Sequence, residues 1–201
     1  FNFTSIASNL NLAPAMMGNT TIWKPSTTAP HSNYLLMKIF QEAGLPDGVV
    51  NFLPGQGSLI GRVATANEHL AGFHFTGSTA TFNTLWKSIA GNIDRYRGYP
   101  RIVGETGGKN FVMVHPSAEA REVATALVRG AFEYQGQKCS AASRAYIPRS
   151  LWPSVKEVMG DMLDSIKMGD VMEFDNFVNA VIDEASFDNI MNYLAAAKRD
   201  S

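Results

Sequence analysis

The sequence has 201 residues, of which 45% are hydrophobic and 17% are charged, and its formal net charge is −1. Because an average globular chain is about 25% charged, this composition indicates a well-buried α/β protein or a piece of a larger one. The near-neutral charge gives no support for a nucleic-acid or anionic membrane partner. No apolar run approaches the ~18 residues of a membrane span, and one cysteine permits no internal disulfide.

No targeting segment is visible in the first residues of this sequence. The first residues, Phe1 to Thr4, lack a basic stretch, and the chain starts without methionine. It stops at Ser201, just after a helical pattern. We therefore expect an internal fragment of a longer protein, whose localisation signals lie elsewhere.

Strands and helices alternate in the first half. The pattern predicts helices over 4–17, from an N-cap in 26–28 to Gly44, up to about Thr65 and from 77–79 onward, with strands over 20–24, 49–53 and 72–76. The second of these helices is expected to turn Leu36, Ile39, Phe40 and Ala43 inward. This alternation is typical of an α/β fold, a parallel sheet covered by helices.

The second half continues the alternation. Strands are predicted over 101–105 and 111–114 and near Tyr146, and helices are predicted up to Gly136, over 152–166 and over 187–194. The weakest boundary lies between Gly104 and Gly108, where glycines follow a strand. The expected domains are therefore residues 1–104 and 105–201.

Cys139 is the first candidate for chemistry. It lies where a helix is predicted to give way to a turn, a usual position for a reactive side chain on a rigid scaffold. Lys138 and Arg144 provide nearby positive charge, which favours a thiolate. The competing interpretation is that a lone cysteine is more often a small buried apolar residue.

Three features could bind a nucleotide. Gly55-x-Gly57-x-x-x-Gly61 resembles a dinucleotide-binding loop with one residue too many, and no acidic residue follows at the ribose position. Gly77-Ser78-Thr79 precedes a helix, where free N–H groups attract phosphate, although Ser78 fits an ordinary N-cap equally well. Lys24 ends a strand and could reach a ribose or phosphate, or it could be a solvated lysine.

Metal and serine-hydrolase chemistry find no support. The four histidines do not fall at zinc-ligand spacings, and a single cysteine cannot complete a thiolate site. The Gly-x-Ser-x-Gly elbow of serine hydrolases is absent. A Cys–His pair stays open, but nothing in the sequence points to one.

Several motifs together resemble the aldehyde dehydrogenase family. They occur in the family's order, and the 34 residues from Glu105 to Cys139 match its spacing between base and nucleophile. The matching motifs are Phe1-Asn2-Phe3, Trp23-Lys24-Pro25-Ser26, Phe75-Thr76-Gly77-Ser78, Gly104-Glu105-Thr106-Gly107-Gly108-Lys109 and Gly136-Gln137-Lys138-Cys139. Phe-Asn-Phe-Thr, Trp-Lys-Pro-Ser and Phe-Glu-Tyr-x-Gly-Gln-Lys-Cys-Ser-Ala resemble the branch that oxidises glutamate γ-semialdehyde to glutamate in proline breakdown.

The resemblance implies a fold and a set of catalytic roles. Residues 1–104 would form part of a Rossmann-like NAD-binding domain, and residues 105–201 would form the front of the catalytic domain. Cys139 would attack the aldehyde, and the Asn2 amide with the Cys139 N–H would hold the resulting oxyanion. Glu105 would activate water, and Ser140 would donate a hydrogen bond to the substrate carboxylate.

The resemblance also assigns cofactor contacts. Lys24 and Ser26 would bind the adenosine ribose of NAD, and Gly57 would form the wall on the adenine side. Thr106 and Gly107 would lie along the nicotinamide. The pyrophosphate would lie on Gly77, Ser78, Thr79, Ala80 and Thr81. Because Ser26 replaces an acidic residue near the ribose 2′-position, NADP is also compatible.

For the parent protein, the resemblance implies an aldehyde substrate, a homo-oligomer, and a mitochondrial matrix location in a eukaryote or a cytoplasmic one otherwise. The family's oligomerisation strands, its later ribose motif and its carboxylate-anchoring loop lie outside these 201 residues. We therefore expect the fragment alone to be inactive.

Three other functions stay open. The first is a non-catalytic protein on the same scaffold, against which the joint presence of Cys139, Glu105 and Asn2 argues. The second is a cofactor-free cysteine esterase. The third is an aldehyde dehydrogenase for a different acyl group.

Overall fold

The computed structural model describes residues 4–200, with the backbone alone described at residues 5 and 200. Helices and strands alternate through this range. The helices are α1 (Thr4–Met16), α2 (Pro30–Glu42), α3 (Gly57–Ala66), α4 (Thr79–Gly91), α5 (Ala120–Phe132), α6 (Trp152–Ser165) and α7 (Glu184–Asp200). The strands are β1 (Thr21–Trp23), β2 (Val50–Phe52), β3 (Gly72–Gly77), β4 (Arg101–Thr106), β5 (Asn110–Met113) and β6 (Ala142–Tyr146). No helix within 4–200 is long and apolar enough to cross a bilayer.

The described strands pair in parallel, as the alternation predicted, but not in one sheet. They form three two-stranded sheets, β1–β2, β3–β4 and β5–β6. Each pair is joined through one intervening α-helix, so each is a strand–helix–strand unit. The parallel sheet predicted for the first half is thus present as two separate pairs, β1–β2 and β3–β4, and the predicted α/β class is confirmed.

The chain divides into two compact units between Gly107 and Gly108, three residues beyond the boundary expected from sequence. In the first unit, Trp23 of β1 and Val50 of β2 are buried against Ala7 of α1 and Met37 of α2. The Trp23 ring meets Phe52 edge-on, with ring centroids 5.2 Å apart. This cluster fixes β1 and β2, whose carboxyl ends lead to the predicted nucleotide-binding residues.

The core of the second unit lies between α5 and α6. Val123, Ala124 and Leu127 share one face of α5 and pack with the fully buried Val155 of α6. These positions follow the spacing of an amphipathic helix. The packing fixes α5, and the chain that leaves α5 carries Cys139.

The start of α2 differs from the sequence prediction. The helix begins at Pro30, and its N-cap residue Ala29 makes no side-chain capping bond. The helix can begin at Pro30 because proline suits the first helical position, where its missing N–H would have no intrahelical acceptor. The Ser26 hydroxyl, four residues earlier, accepts a hydrogen bond from the Thr28 N–H (3.3 Å) and does not cap α2. The predicted apolar face is correct in part: Leu36 and Phe40 pack half-buried against the core beside the buried Asn33 and Met37, while Ile39 is 59% exposed.

Candidate active site

The turn that carries Cys139 is tighter than a continued helix. The α-helix α5 ends at Phe132, and a short 3₁₀ turn follows over Glu133–Gly136, so the helix end predicted near Gly136 is four residues late for the α-helix and matches the end of the 3₁₀ turn. Three successive residues then have positive φ: Tyr134 at 54°, Gln135 at 58° and Gly136 at 70°. Left-handed backbone costs a non-glycine residue about 1–2 kcal/mol, so contacts elsewhere must hold this turn. The Cys139 side chain is a free, partly exposed thiol just before β6.

The backbone carbonyl of Cys139 is held from the β5 side. The Asn110 side-chain amide donates a hydrogen bond to it at 3.2 Å. A Cβ at Gly108 would lie 2.3 Å from the same oxygen, so only glycine fits there. The Ser143 hydroxyl donates to the Asn110 carbonyl oxygen (3.0 Å), at the point where one extra β6 residue interrupts the β5–β6 register. The peptide of Cys139 therefore has a defined position in the second unit.

The Lys138 ammonium is engaged with neighbouring side chains of the same turn. It lies 2.6 Å from a carboxylate oxygen of Glu133 and 5.0 Å from the centre of the Tyr134 ring. The hydrogen bond and charge of Lys138, with a smaller contribution from Arg129, hold the pKa of Glu133 below its ordinary value of 4.5. The expected positive charge is therefore already paired, and Arg144 donates to the Tyr146 hydroxyl at 3.4 Å.

Glu105, the predicted base, lies near the carboxyl end of β4. It stands opposite Thr76 of β3 in the parallel register, and its side chain is exposed. Ser140 follows Cys139 and is also exposed. Asn2, the predicted oxyanion donor, lies outside the described residues. Since Glu105 belongs to the first unit and Cys139 to the second, the meeting of these three groups stays a prediction.

Lys24, a predicted ribose-binding residue, lies beside Gly57, the predicted wall on the adenine side, in the first unit. A Cβ at Gly57 would be 3.8 Å from Cε of Lys24, an ordinary contact. The Lys24 ammonium donates a hydrogen bond to the Pro25 carbonyl oxygen, and partial burial lowers the pKa of Lys24. Lys24 follows β1 and Gly57 follows β2, so the carboxyl ends of two parallel strands bring them together. Ser26 is two residues from Lys24 in the following turn.

The predicted phosphate-binding segment forms the start of α4. Ser78 is the N-cap, and its hydroxyl oxygen accepts a hydrogen bond from the Thr81 N–H at 3.1 Å. The same hydroxyl donates to the Thr81 hydroxyl at 2.8 Å. Ser78 thus has the ordinary N-cap role. The N–H groups of Thr79 and Ala80, in the first turn of α4, have no intrahelical acceptor. A Cβ at Gly77 would lie 2.7 Å from the Phe75 ring, so glycine is required there by packing alone.

Among residues 4–200, no group of three or more His, Cys, Asp or Glu side chains could hold a metal ion. Sequence reasoning missed other residues at the turn. The roles of Asn110 and Gly108 in holding the Cys139 carbonyl were not predicted, since the glycines from 104 to 108 were interpreted only as a domain boundary. The Glu133–Lys138 pair left no periodic signal, because residues five apart do not face each other on a helix.

A comparison with protein families matches the whole chain, residues 1–201, to the aldehyde dehydrogenase family. The chain belongs to the aldehyde dehydrogenase family. A similar relative is the mitochondrial Δ1-pyrroline-5-carboxylate dehydrogenase of Dictyostelium discoideum, 53% identical over 98% of this chain and 36% of the relative. The mitochondrial enzyme of the same name from Homo sapiens is 50% identical over 98% of this chain and 35% of its own length.

Solved structures of aldehyde dehydrogenases have the same fold. The Δ-pyrroline-5-carboxylate dehydrogenase of Mycobacterium tuberculosis bound with NAD superposes with a TM-score of 0.92 at 50% identity, over 98% of this chain and 37% of that one. Betaine aldehyde dehydrogenase of Staphylococcus aureus, in complex with NAD⁺, has a TM-score of 0.87 at 27% identity, over 96% of this chain and 37% of that one. The chain thus has the aldehyde dehydrogenase fold and spans little more than a third of the length of these family members.

Proposed function

We propose that the complete protein oxidises an aldehyde to a carboxylic acid with NAD, using Cys139 as the nucleophile and L-glutamate γ-semialdehyde as the substrate. The observation that carries this proposal is the held peptide of Cys139, with its carbonyl fixed by Asn110 and Gly108 and its thiol left free. A nucleophile needs such a fixed backbone, because a displacement of about 1 Å can cost ~10²-fold in rate.

The first half-reaction forms a covalent bond to sulfur. Glu105 or water takes the proton of the Cys139 thiol, and the resulting thiolate attacks the aldehyde carbon while the carbonyl electron pair moves to oxygen. The Cys139 N–H and the Asn2 amide would donate hydrogen bonds to that oxygen. One such donor is worth about 3–4 kcal/mol, a factor of ~10²–10³ in rate. Bound NAD would supply the hydride acceptor for this carbon, and loss of the hydride would leave the acyl group on Cys139 as a thioester.

The second half-reaction releases the acid. Glu105 takes a proton from a water molecule, and the oxygen of that water attacks the thioester carbon. The carbon–sulfur bond then breaks, which yields the carboxylic acid and restores the Cys139 thiolate. The exposed Glu105 carboxylate on β4 suits this role, because a general base needs access to water.

The residues of the first unit fit NAD. Among the described residues, a Cβ at Gly57 would make only an ordinary contact with Lys24, and the glycine would leave that space to the adenine side of the cofactor. Lys24 offers a cation beside that space, and Ser26 follows it. The start of α4 presents unpaired N–H groups and the positive end of a 13-residue helix, which would bind the pyrophosphate. Residues 1–104 would thus serve the cofactor, and residues 105–201 the thiol chemistry.

The choice of glutamate γ-semialdehyde rests on two supports. Relatives at about 50% identity are named Δ1-pyrroline-5-carboxylate dehydrogenases. The exposed Ser140 hydroxyl next to Cys139 offers a hydrogen-bond donor to the substrate carboxylate. For the complete protein we further propose a homo-oligomer, located in the mitochondrial matrix in a eukaryote and in the cytoplasm otherwise.

The proposal is tested by NADH formation in the complete protein. Initial rates are compared for glutamate γ-semialdehyde and for an unbranched aldehyde of equal chain length without its amino and carboxylate groups, each with NAD and NADP. We expect the highest kcat/KM with the semialdehyde and NAD, and a loss of at least ~10³-fold in Cys139→Ala. Ester hydrolysis without nucleotide binding would instead support an esterase, and no turnover of any aldehyde would support a non-catalytic protein.

A further inference from the structure

Lys138 precedes the nucleophile directly, yet its side chain is engaged elsewhere. Its ammonium donates a hydrogen bond to Oε2 of Glu133 at 2.6 Å, while Oε1 of Glu133 pairs with Arg129 one helical turn earlier. Both members of the Glu133–Lys138 pair are about 30% exposed, with side-chain values of 31% and 29%. Water therefore reaches this pair less than the exposed ion pairs elsewhere, such as Lys167–Asp175 at 64% and 85%.

The pair closes the strained part of the turn. Between Glu133 and Lys138 lie Tyr134, Gln135 and Gly136, all with positive φ. Residues five apart meet only because the helix has ended and the backbone has reversed its hand. Left-handed backbone is unfavourable for Tyr134 and Gln135, so this segment tends to continue α5 as a right-handed helix. The Glu133–Lys138 ion pair opposes that tendency.

Two glutamine side chains complete the support. Gln137 accepts a hydrogen bond from the Ile182 N–H at 2.9 Å and donates one to the Tyr134 carbonyl oxygen at 3.1 Å. The Gln135 amide, with its oxygen toward the Asn179 N–H, accepts at 2.6 Å. The turn is thus tied to the segment before α7, and the ion pair is its link to α5.

We infer that Glu133 and Lys138 are positioning residues for Cys139: their ion pair holds the left-handed turn that sets the direction of the nucleophile's peptide. Lys138 does not act as a free cation that activates the thiol. The inference rests on the proposed function, because it assigns these residues to the aldehyde chemistry of Cys139.

The two roles predict opposite signs for one substitution. If Lys138 were an electrostatic activator, removal of its counter-charge in Glu133→Gln would raise the thiolate fraction and speed the reaction of Cys139. If the pair positions the turn, Glu133→Gln and Lys138→Met damage the same structure. Both then slow the reaction, and the double variant is no slower than the slower single one.

The test uses the complete protein with Glu133→Gln, Lys138→Met, the double variant and Lys138→Arg. We measure kcat and KM for NADH formation, and the rate of Cys139 alkylation by iodoacetamide from pH 5 to 10. We expect kcat to fall ~10–100-fold in each single variant and no further in the double variant, with KM for NAD unchanged within about twofold. Lys138→Arg should keep most of the activity, since arginine retains the ion pair. Lys167→Met, which removes an exposed pair in the same unit, is the matched control and should behave as wild type.

Unchanged kcat in both single variants, or additive losses in the double variant, would overturn the inference. So would a pH midpoint of Cys139 alkylation that falls in Glu133→Gln and rises in Lys138→Met. Glu133→Gln preserves side-chain size, so it carries the test if Lys138→Met does not fold. Should the wild type form no NADH from any aldehyde while iodoacetamide still labels Cys139, the proposed function fails. The alkylation rates would then still decide the positioning role.

Discussion

At the scale of single residues, the site depends on how closely two backbone segments approach. Gly108 lies so near Cys139 that an added Cβ would be 2.3 Å from the carbonyl oxygen and 3.1 Å from the carbonyl carbon. Both of those atoms are backbone, so no side chain can move aside to make room. The position of the Cys139 peptide therefore depends on residue 108 having no side chain.

Gly108→Ala in the complete protein should displace the Cys139 peptide and lower kcat by ~10²-fold, because a shift of about 1 Å misaligns the attacking sulfur. Steady-state kinetics and iodoacetamide labelling measure the effect. Gly160→Ala is the control, since nothing lies within 4 Å of its added Cβ on α6, and it should stabilise the protein by up to about 1 kcal/mol. Equal activity of the two variants would count against a tight fit at Cys139.

Sequence reasoning reached some of these residues and not others. Cys139 and Glu105 stood out by residue type and by their separation of 34 positions. Asn110 could not be assigned a role, because its bond to the Cys139 carbonyl (3.2 Å) depends on the pairing of β5 with β6. Such pairing joins residues far apart in sequence, and residue type alone does not report it.

At the scale of elements, the helix ends determine where the chemistry lies. The start of α4 combines an N-cap, Ser78, with backbone N–H groups that could donate hydrogen bonds to a phosphate. The end of α5 leads into a left-handed turn. Both ends lie next to parallel strands, so Ser78 and Cys139 lie in short connections between rigid elements.

Ser78→Ala should destabilise the protein by about 1 kcal/mol, because the Thr81 N–H loses its acceptor, whereas Ser78→Gly should cost only a few tenths. Thermal unfolding measures this difference, and titration with NAD measures whether affinity falls with the cap. Ser165→Ala removes a hydroxyl at the C-terminal end of α6 and is the control. A melting temperature unchanged by Ser78→Ala would refute the capping role.

The Glu133 ion pairs should make stability depend on pH. Because the folded-state pKa of Glu133 is lowered, its contribution is present above its ordinary value of 4.5 and is lost as the pH falls through the lowered folded value. The melting-temperature difference between wild type and Glu133→Gln should therefore have its largest value at pH 7. The difference should shrink toward zero as the pH falls below 4.5. Glu157→Gln, on an exposed position of α6, is the matched control for the loss of one carboxylate. A difference that persists unchanged into acid would contradict the pairing.

The elements themselves were largely predictable from sequence, and their ends were not. Apolar spacing located α4, α5 and α6, because each buries one face. The end of α5 was misplaced since Glu133-Tyr134-Gln135 carries no glycine or proline before Gly136. Contacts with Lys138, Asn179 and Ile182 hold that turn, and local propensity does not include them.

At the scale of the whole molecule, the 201-residue chain exposes many large apolar side chains. Among the described residues, Phe174 is 98% exposed, Met16 and Tyr99 are 85% exposed, and Trp86 is 54% exposed. Extensive exposed apolar surface of this kind marks an interaction face. The chain also spans only 36% of its Dictyostelium relative, so further parts of a complete protein are expected to cover such surface.

The 201-residue chain expressed alone should therefore bind a hydrophobic dye, self-associate and form no NADH from glutamate γ-semialdehyde. Dye fluorescence, light scattering and absorbance at the NADH band measure these properties. The complete protein, assayed in parallel, is the positive control and should be active. NADH production by the isolated chain would show that the groups within it suffice for catalysis.

The central claim is that Cys139 carries the acyl group and that Glu105 helps water to release it. The most direct measurement is rapid mixing of the complete Glu105→Gln protein with NAD and glutamate γ-semialdehyde, followed by mass spectrometry of the quenched protein. We predict a burst of one NADH per active site, slow turnover, and a glutamyl thioester on Cys139. Undiminished turnover, or a burst whose acyl group is found on another residue, would contradict the account.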